Sequence, residues 1–498
     1  MNFHFIFNSV FRLLVITTMA MVLSLGLGYC LSAGPEHNNA IALQGWIVSI
    51  GITLGSALLM LLAGLLTRKS RDTNGTKKEQ VAASTIPWFI CGIYAALPYI
   101  FCQPGLPLDK AIFEAVSGLT TTGATTITDL QEIPKTILLW RSMTQWLGGL
   151  GIIILSCLML RGLGVAGRTM LLSAESSLIS HDLKEGSLRS RTRHLWSLYI
   201  LLTMLCGGGL LAFGLSPFQA ITHAFTTTAT AGFGTENDSF TGFGTAAKLW
   251  TMSFMLICSL SFPLYLVLMN RRKTRQQRLQ ELREHEETRW FLLIAATAVT
   301  VILIIRRLDP ISESMIDTLF NVISIVTTTG YSAGDYNQWP LLGKEVLLLL
   351  MVIGGCGGST SGGLKVWRVI LWIRFLRSEL TRAFRPRMIR RPTINKHQVD
   401  DGTFGQLFIV LTAASFFLAT GSLAMRLFEP DISTVGCVSA VISSMFNIGP
   451  AFAEFGPTKN FANLSTPATL MLPVLMILGR LGFVFVLVLF SRKLWKHY

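Results

Sequence analysis

Four short stretches of the chain set small or hydroxyl-bearing residues around a glycine. They are Thr120-Thr121-Thr122-Gly123-Ala124, Ala229-Thr230-Ala231-Gly232-Phe233, Thr327-Thr328-Thr329-Gly330-Tyr331 and Phe446-Asn447-Ile448-Gly449-Pro450. No nucleophile sits beside a base in them, and no carboxylates are paired, so the chemistry they offer is that of the backbone. A glycine reaches backbone angles that a Cβ forbids, which lets successive carbonyls point the same way. A ring of carbonyls from several loops can replace the water shell of a monovalent cation. Threonine wets such a wall without charging it. The glycines fall 109, 98 and 119 residues apart, the spacing of a fourfold internal repeat. Phe113–Gly123 and Phe320–Gly330 share six of eleven residues, including the three threonines and the glycine.

The elements that must position these loops follow from composition. The 498 residues are 51% hydrophobic and 14% charged, against about 25% charged in soluble proteins, and the mean hydropathy is +0.53. These values exclude a soluble enzyme and a nucleic-acid binder, and they imply an integral membrane protein in a lipid bilayer. About 20 apolar residues cross a bilayer. Ten such segments are predicted, at 10–32, 42–67, 81–104, 137–160, 194–215, 246–270, 289–306, 342–376, 404–427 and 466–491. Four apolar segments too short to span, 111–122, 217–229, 314–329 and 434–447, lie between them, each ending at one of the glycines. Irregular backbone at membrane depth is tolerated where it is buried in protein or lines a watery path. A half-helix ending there aims its negative C-terminal end at the path, which favours cations. Acidic residues near the loops, Glu114, Glu236, Asp238, Asp335 and Glu454, would concentrate cations at the mouth.

The net charge of +15 has a topological reading. Of 42 Lys and Arg, 31 fall in segments 68–80, 161–193, 271–289, 365–396 and 491–498, at alternate helix ends. The positive-inside rule puts these segments, and both termini, in the cytoplasm. The first apolar run is too long for a signal peptide's core and no Lys or Arg precedes Arg12, so it reads as a retained helix. The eight cysteines are scattered and suggest neither disulfides nor a metal site.

The eighth span is interrupted by Gly354-Gly355-Cys356-Gly357-Gly358-Ser359-Thr360-Ser361-Gly362-Gly363. Glycines inside a helix cost about 1 kcal/mol each relative to alanine, so the break needs a use. It matches neither a phosphate-binding GxxxxGK[ST] loop nor a GxSxG nucleophile elbow. Arg480 lies deep in the last span, where a charge is costly unless it faces a cavity or a partner.

In these residues the sequence resembles the Trk/Ktr/HKT superfamily of potassium transporters, and within it the bacterial Trk-type uptake proteins, which carry two extra helices before four repeats. The resemblance covers nearly the whole chain. It implies an all-α polytopic fold: two N-terminal helices (1–80), then four helix–pore loop–helix repeats (81–193, 194–288, 289–402 and 403–498) around a single pore. It implies a selectivity filter at Thr121, Thr122, Gly123, Thr230, Ala231, Gly232, Thr328, Thr329, Gly330, Asn447, Ile448 and Gly449, with potassium bound there. It also implies that Gly354, Gly355, Gly357, Gly358, Ser359, Gly362 and Gly363 form a gating loop below the filter, near Arg480, with Lys365 as a second candidate that fits the cytoplasmic helix boundary better. Gly123, which some sodium-preferring plant relatives replace with serine, argues for potassium. The resemblance further implies potassium and rubidium as cargo, no organic cofactor, a homodimer, a cytosolic nucleotide-binding regulatory subunit (TrkA-like), and the inner membrane as location. The rival reading is an alternating-access secondary transporter, a proton- or sodium-coupled cation symporter. It predicts inverted repeats, whereas these repeats read as parallel.

Overall fold

The computed structural model describes residues 3–31, 37–67, 77–102, 104–162, 188–269, 273–385, 393–394, 397–399 and 401–489. Most of the basic segments 68–80 and 161–193, all of 491–498, and the chain ends lie outside them. The fold is helical. Among the described residues the one exception is a two-residue antiparallel ladder, Thr393–Ile394 with His397–Gln398.

Two long helices, α1 (Phe3–Leu31) and α2 (His37–Leu66), pack on one another and on the first repeat. On α2, Leu58, Leu59, Leu62, Leu65 and Leu66 face outward and exposed, which suits a surface solvated by lipid tails. The first repeat holds α3 (Lys77–Ala95), α4 (Leu97–Phe101), α5 (Leu108–Leu119) and α6 (Lys135–Gly162). The second holds α7 (Leu188–Ala212), α8 (Pro217–Thr228), α9 (Thr245–Ser259) and α10 (Phe262–Met269), followed by the exposed, polar α11 (Arg275–Glu284). The third holds α12 (Glu286–Leu308), α13 (Met315–Val326), α14 (Leu341–Ile353) and α15 (Val366–Phe384). The fourth holds α16 (Asp401–Phe428), α17 (Thr434–Phe446), α18 (Thr466–Leu481) and α19 (Phe483–Leu489).

The short helices α5, α8, α13 and α17 are 12, 12, 12 and 13 residues long. At 1.5 Å per residue each covers roughly 18 Å, too little to span. Serine caps start three of them: Ser216, Ser314 and Ser433 accept from backbone N–H groups of Gln219, Asp317 and Gly436, an arrangement that satisfies donors a helix start otherwise leaves open. Their packing partners define a closed ring. The second long helix of each repeat packs on the short helix of the next: α6 on α8, α9 on α13, α14 on α17, and α18 back on α5.

Six described helices are long and apolar enough to cross a membrane, and a seventh span is a bent pair. That pair corrects the continuous helix expected over 246–270: α9 and α10 meet at 89°. The bend is fixed by the interrupted eighth span, because Phe262 N donates to Gly358 O (3.1 Å) and Cys356 N donates to Ser259 O (3.0 Å). The expected span 466–491 is likewise broken, at Gly482 (φ +87°); its last residues are outside the described set. The expected span 342–376 is α14 and α15 with the glycine-rich segment between them.

Candidate functional site

All four short helices end in the same way. Thr121, Thr230, Thr328 and Asn447 have φ of +53°, +49°, +56° and +57°. The next residue's N–H then reaches back five positions: Thr122 to Ser117 O (2.9 Å), Ala231 to Thr226 O (3.0 Å), Thr329 to Ser324 O (2.9 Å) and Ile448 to Ser443 O (3.0 Å). This is a Schellman helix end. Glycine or asparagine normally takes its left-handed position; a β-branched threonine there is an outlier, with strain of about 1–3 kcal/mol. A second positive φ follows two residues later, at Gly123, Gly232, Gly330 and Gly449.

Those glycines are where the loops meet. A Cβ on Gly123 would overlap Ala231 O, one on Gly232 would overlap Thr329 O, and one on Gly330 would overlap Ile448 O. One on Gly449 would lie 2.7 Å from Thr122 O. Each glycine therefore faces the carbonyl that precedes the glycine of the next repeat, and the series closes in chain order. The seam between the fourth loop and the first is tied by Asn447 Nδ2, which donates to Thr122 Oγ1 (2.9 Å) and Met476 O (3.0 Å).

Side chains brace the ring from behind. Glu114 does not lie at the mouth as expected. It is fully buried, its Oε1 accepts from Thr126 N (2.5 Å) and Thr125 Oγ1 (2.7 Å), and its Oε2 pairs with Arg141 Nε at 3.3 Å. The Arg141 guanidinium also stacks 4.0 Å over the Phe233 ring. Gln145, one turn further along α6, donates from Nε2 to Ala231 O (2.6 Å) and accepts from Phe233 N (3.1 Å). Behind loops two and three, Tyr331 OH bonds Thr226 and lies 3.4 Å from His223 Nδ1. Arg141 and Gln145 escaped the sequence reading, although two polar residues four apart inside an apolar helix are the signal that finds such sites. Removing one partner of a buried ion pair costs about 3–5 kcal/mol. Arg141→Leu is expected to lower the thermal unfolding midpoint of the purified protein by several degrees, and Arg141→Lys by less.

The glycine-rich segment between α14 and α15 leaves the helix and returns. Its neck is closed by Leu364 N to Val352 O and Lys365 N to Ile353 O, both 3.0 Å. Gly354, Gly358, Gly363 and Lys365 carry positive φ, and Gly355 and Gly357 leave no room for a Cβ beside Ser361 and Trp367. The tip lies against the inner ends of the loops. Thr230 Oγ1 donates to Thr360 Oγ1 (3.2 Å), Gly362 N to Thr328 Oγ1 (2.6 Å) and Gly363 N to Phe446 O (2.9 Å). Ser359 Oγ donates to Cys356 O within the segment. Arg480, buried, donates from Nη1 to Thr360 O (2.8 Å), and Lys365 Nζ donates to the adjacent Ser361 O. On the far side the buried Glu287 of α12 accepts from Gly357 N (2.7 Å) and Trp367 N (3.2 Å). Two cations and one carboxylate thus hold the segment's backbone.

Residues 51–497 match the TrkH family, described as cation transport proteins. The chain belongs to that family. It is 32% identical over 465 residues to the Trk system potassium uptake protein TrkH of Halomonas elongata, covering 91% of this chain and 92% of that protein. It is 32% identical over 421 residues to TrkH of Escherichia coli K12, covering 82% and 84%. The crystal structure of the potassium transporter TrkH from Vibrio parahaemolyticus superposes with a TM-score of 0.86 at 26% identity, over the full length of both chains. As a TrkH-family chain it is a multi-pass membrane transporter and not an enzyme.

The remaining acids of this TrkH-family chain sit in the connections outside the short helices. Asp335 caps a turn by accepting from Asn337 N (3.1 Å), Glu236 accepts from Gln219 Nε2 (3.2 Å), and Glu454 holds Ser433 through its N–H and hydroxyl. Asp238 is exposed. The sequence reading passed over Glu313. Its Oε2 accepts from Asn321 Nδ2 (3.1 Å), and Asn321 holds Ala333 just past the third loop. Burial pushes the Glu313 carboxyl up to about 7, with the hydrogen bond from Asn321 opposing and Asp317 and Asp335 assisting. A raised acid binds its proton more tightly in the folded chain, so stability falls as pH rises from about 4.5 to 7 and then levels. Thermal midpoints across that window should decline in the native protein, and Glu313→Gln should flatten this component.

Proposed function

We propose that this protein takes up potassium across the cell inner membrane through a channel-like pore, whose selectivity filter is the ring of four glycine-bearing loops. The observation that carries the reading is the closure of that ring: four helix ends of matching backbone geometry deliver four carbonyls, each against the preceding repeat's glycine. Four short helices aim their negative ends at the same place. Thr121, Thr122 and Gly123, with their counterparts Thr230–Gly232, Thr328–Gly330 and Asn447–Gly449, line the ion site, and potassium is the cargo. The same relatives that carry the family assignment are named potassium uptake proteins.

The segment 354–363 is the gate. It lies across the inner ends of loops two, three and four, and Arg480 and Lys365 pin its tip where a permeating ion must pass. Arg480 also repels a cation there. The gate is worked by a cytosolic nucleotide-binding subunit that docks on the basic face, and the transporter functions as a homodimer with both termini in the cytoplasm. The cyclic, parallel packing of the repeats disfavours the alternating-access symporter, which calls for inverted halves around a midplane site.

The test is rubidium uptake in a strain lacking its own potassium uptake systems. The native chain should support uptake, and Gly123→Asp should abolish it with normal membrane insertion. Absence of monovalent-cation flux in the native chain, or normal flux in the variant, rejects the filter assignment.

A further inference from the structure

The four carbonyls of the axial ring, those of Thr122, Ala231, Thr329 and Ile448, are not equivalent. Among the described residues, Ala231 O alone accepts a hydrogen bond from a side chain, that of Gln145 Nε2 at 2.6 Å. The orientation of the amide is set by its other end. Phe233 N can only donate, so the atom 3.1 Å from it is the acceptor Oε1, which leaves Nε2 facing Ala231 O. One side chain therefore brackets Gly232 on both sides.

Gln145 is fully buried in the run Leu138–Gly151 of α6, where leucine would pack without the cost of burying an amide. Its helix belongs to repeat one and the loop it grips to repeat two. Arg141, one turn away, grips the same loop through the Phe233 ring, so the loop would stay anchored without Gln145. The hydrogen bond to Ala231 O thus does something that anchoring does not require. An amide proton beside that oxygen lowers the negative potential it offers to the axis. Selectivity among alkali cations follows the number and field strength of the coordinating carbonyls. A weaker field favours the larger cation, whose water shell is easier to remove.

We infer that Gln145 is a specificity-determining residue: by donating to the Ala231 carbonyl it weakens one side of the ring and shifts preference from sodium towards potassium and rubidium. This rests on the ring being the selectivity filter. The residue does not line the path; it acts through the carbonyl it holds.

The experiment is paired sodium and potassium flux through the purified full-length protein in liposomes, comparing the native chain with Gln145→Leu and with Gln145→Met, which preserves side-chain volume. Loss of one donor to the ring should raise the sodium-to-potassium flux ratio roughly three- to tenfold, the span set by a single net hydrogen bond. A merely structural role would reduce both fluxes together. An unchanged ratio in a variant that still conducts overturns the inference, whatever its total flux. Should one variant fail to insert, the other decides. A native protein that carries neither ion instead sinks the filter reading itself, which separates the two failures.

Discussion

Gly330→Ala is expected to reduce rubidium uptake to background while leaving the protein in the membrane at near-normal abundance. Two effects coincide at this position. The backbone angle of Gly330 (φ +81°) costs an L-residue about 1–2 kcal/mol, which a protein of this size tolerates. The second effect is larger: the added Cβ would overlap the Ile448 carbonyl oxygen and press on Pro450 Cδ at 3.0 Å. Those atoms belong to the next loop of the ring, so the substitution must turn a carbonyl away from the axis or spread two loops apart. On the filter reading, either removes one of the ligands that offset ion dehydration. Gly51→Ala on α2, where nothing lies within 4 Å of a Cβ, is the control and should transport normally. Uptake by Gly330→Ala within twofold of the native rate would show that the ring is not the ion's binding site.

Arg480→Ala should have the opposite sign. The Arg480 guanidinium gives the loop tip a charge-assisted bond at Thr360 O (2.8 Å), and bonds to charged groups contribute about 1.5–3 kcal/mol. Losing that difference between closed and open states raises the open fraction roughly ten- to a hundredfold until opening is no longer limiting. Removal of the buried positive charge itself adds to the effect. Basal rubidium flux without any regulatory subunit is the measurement, and an unchanged or lower flux rejects the gating role. Arg480→Lys, which keeps the charge but reaches less far, separates the electrostatic contribution from the hydrogen bond.

Much of this architecture can be read from the chain. Hydropathy marks the long helices, and the glycine spacing marks the loops in the same register in which the ring closes. The unread parts share a cause. Pro263 marks a helix boundary within an otherwise apolar stretch, but nothing local announces the 89° angle; that is held by the glycine-rich segment, about a hundred residues later, which hydrogen-bonds Ser259 and Phe262. Glu114 resembles a mouth acid until Arg141, 27 residues away, is folded against it. Gln145 and Glu287 act on backbone groups of other elements, and a sequence does not display which backbone groups lie opposite a side chain. Local patterns reveal what a segment becomes; partners distant in sequence reveal what it does.

The bond from Asn447 to Thr122 spans 325 positions of the chain. Non-local closure of this kind is intrinsically slow, and the chain is made in order from the N-terminus during synthesis. The first loop is thus made long before the residue that locks it. If the ring is the filter, the coordination shell that strips an ion of water is complete only once the fourth loop has been made. On that reading a cell building this protein would be spared an unregulated hole: conduction would be switched on by completion of the polypeptide, after the glycine-rich segment of the third repeat has been synthesised. Fusing four loops into one chain thereby dictates the order of synthesis, with the proposed gate made before the ring it would close.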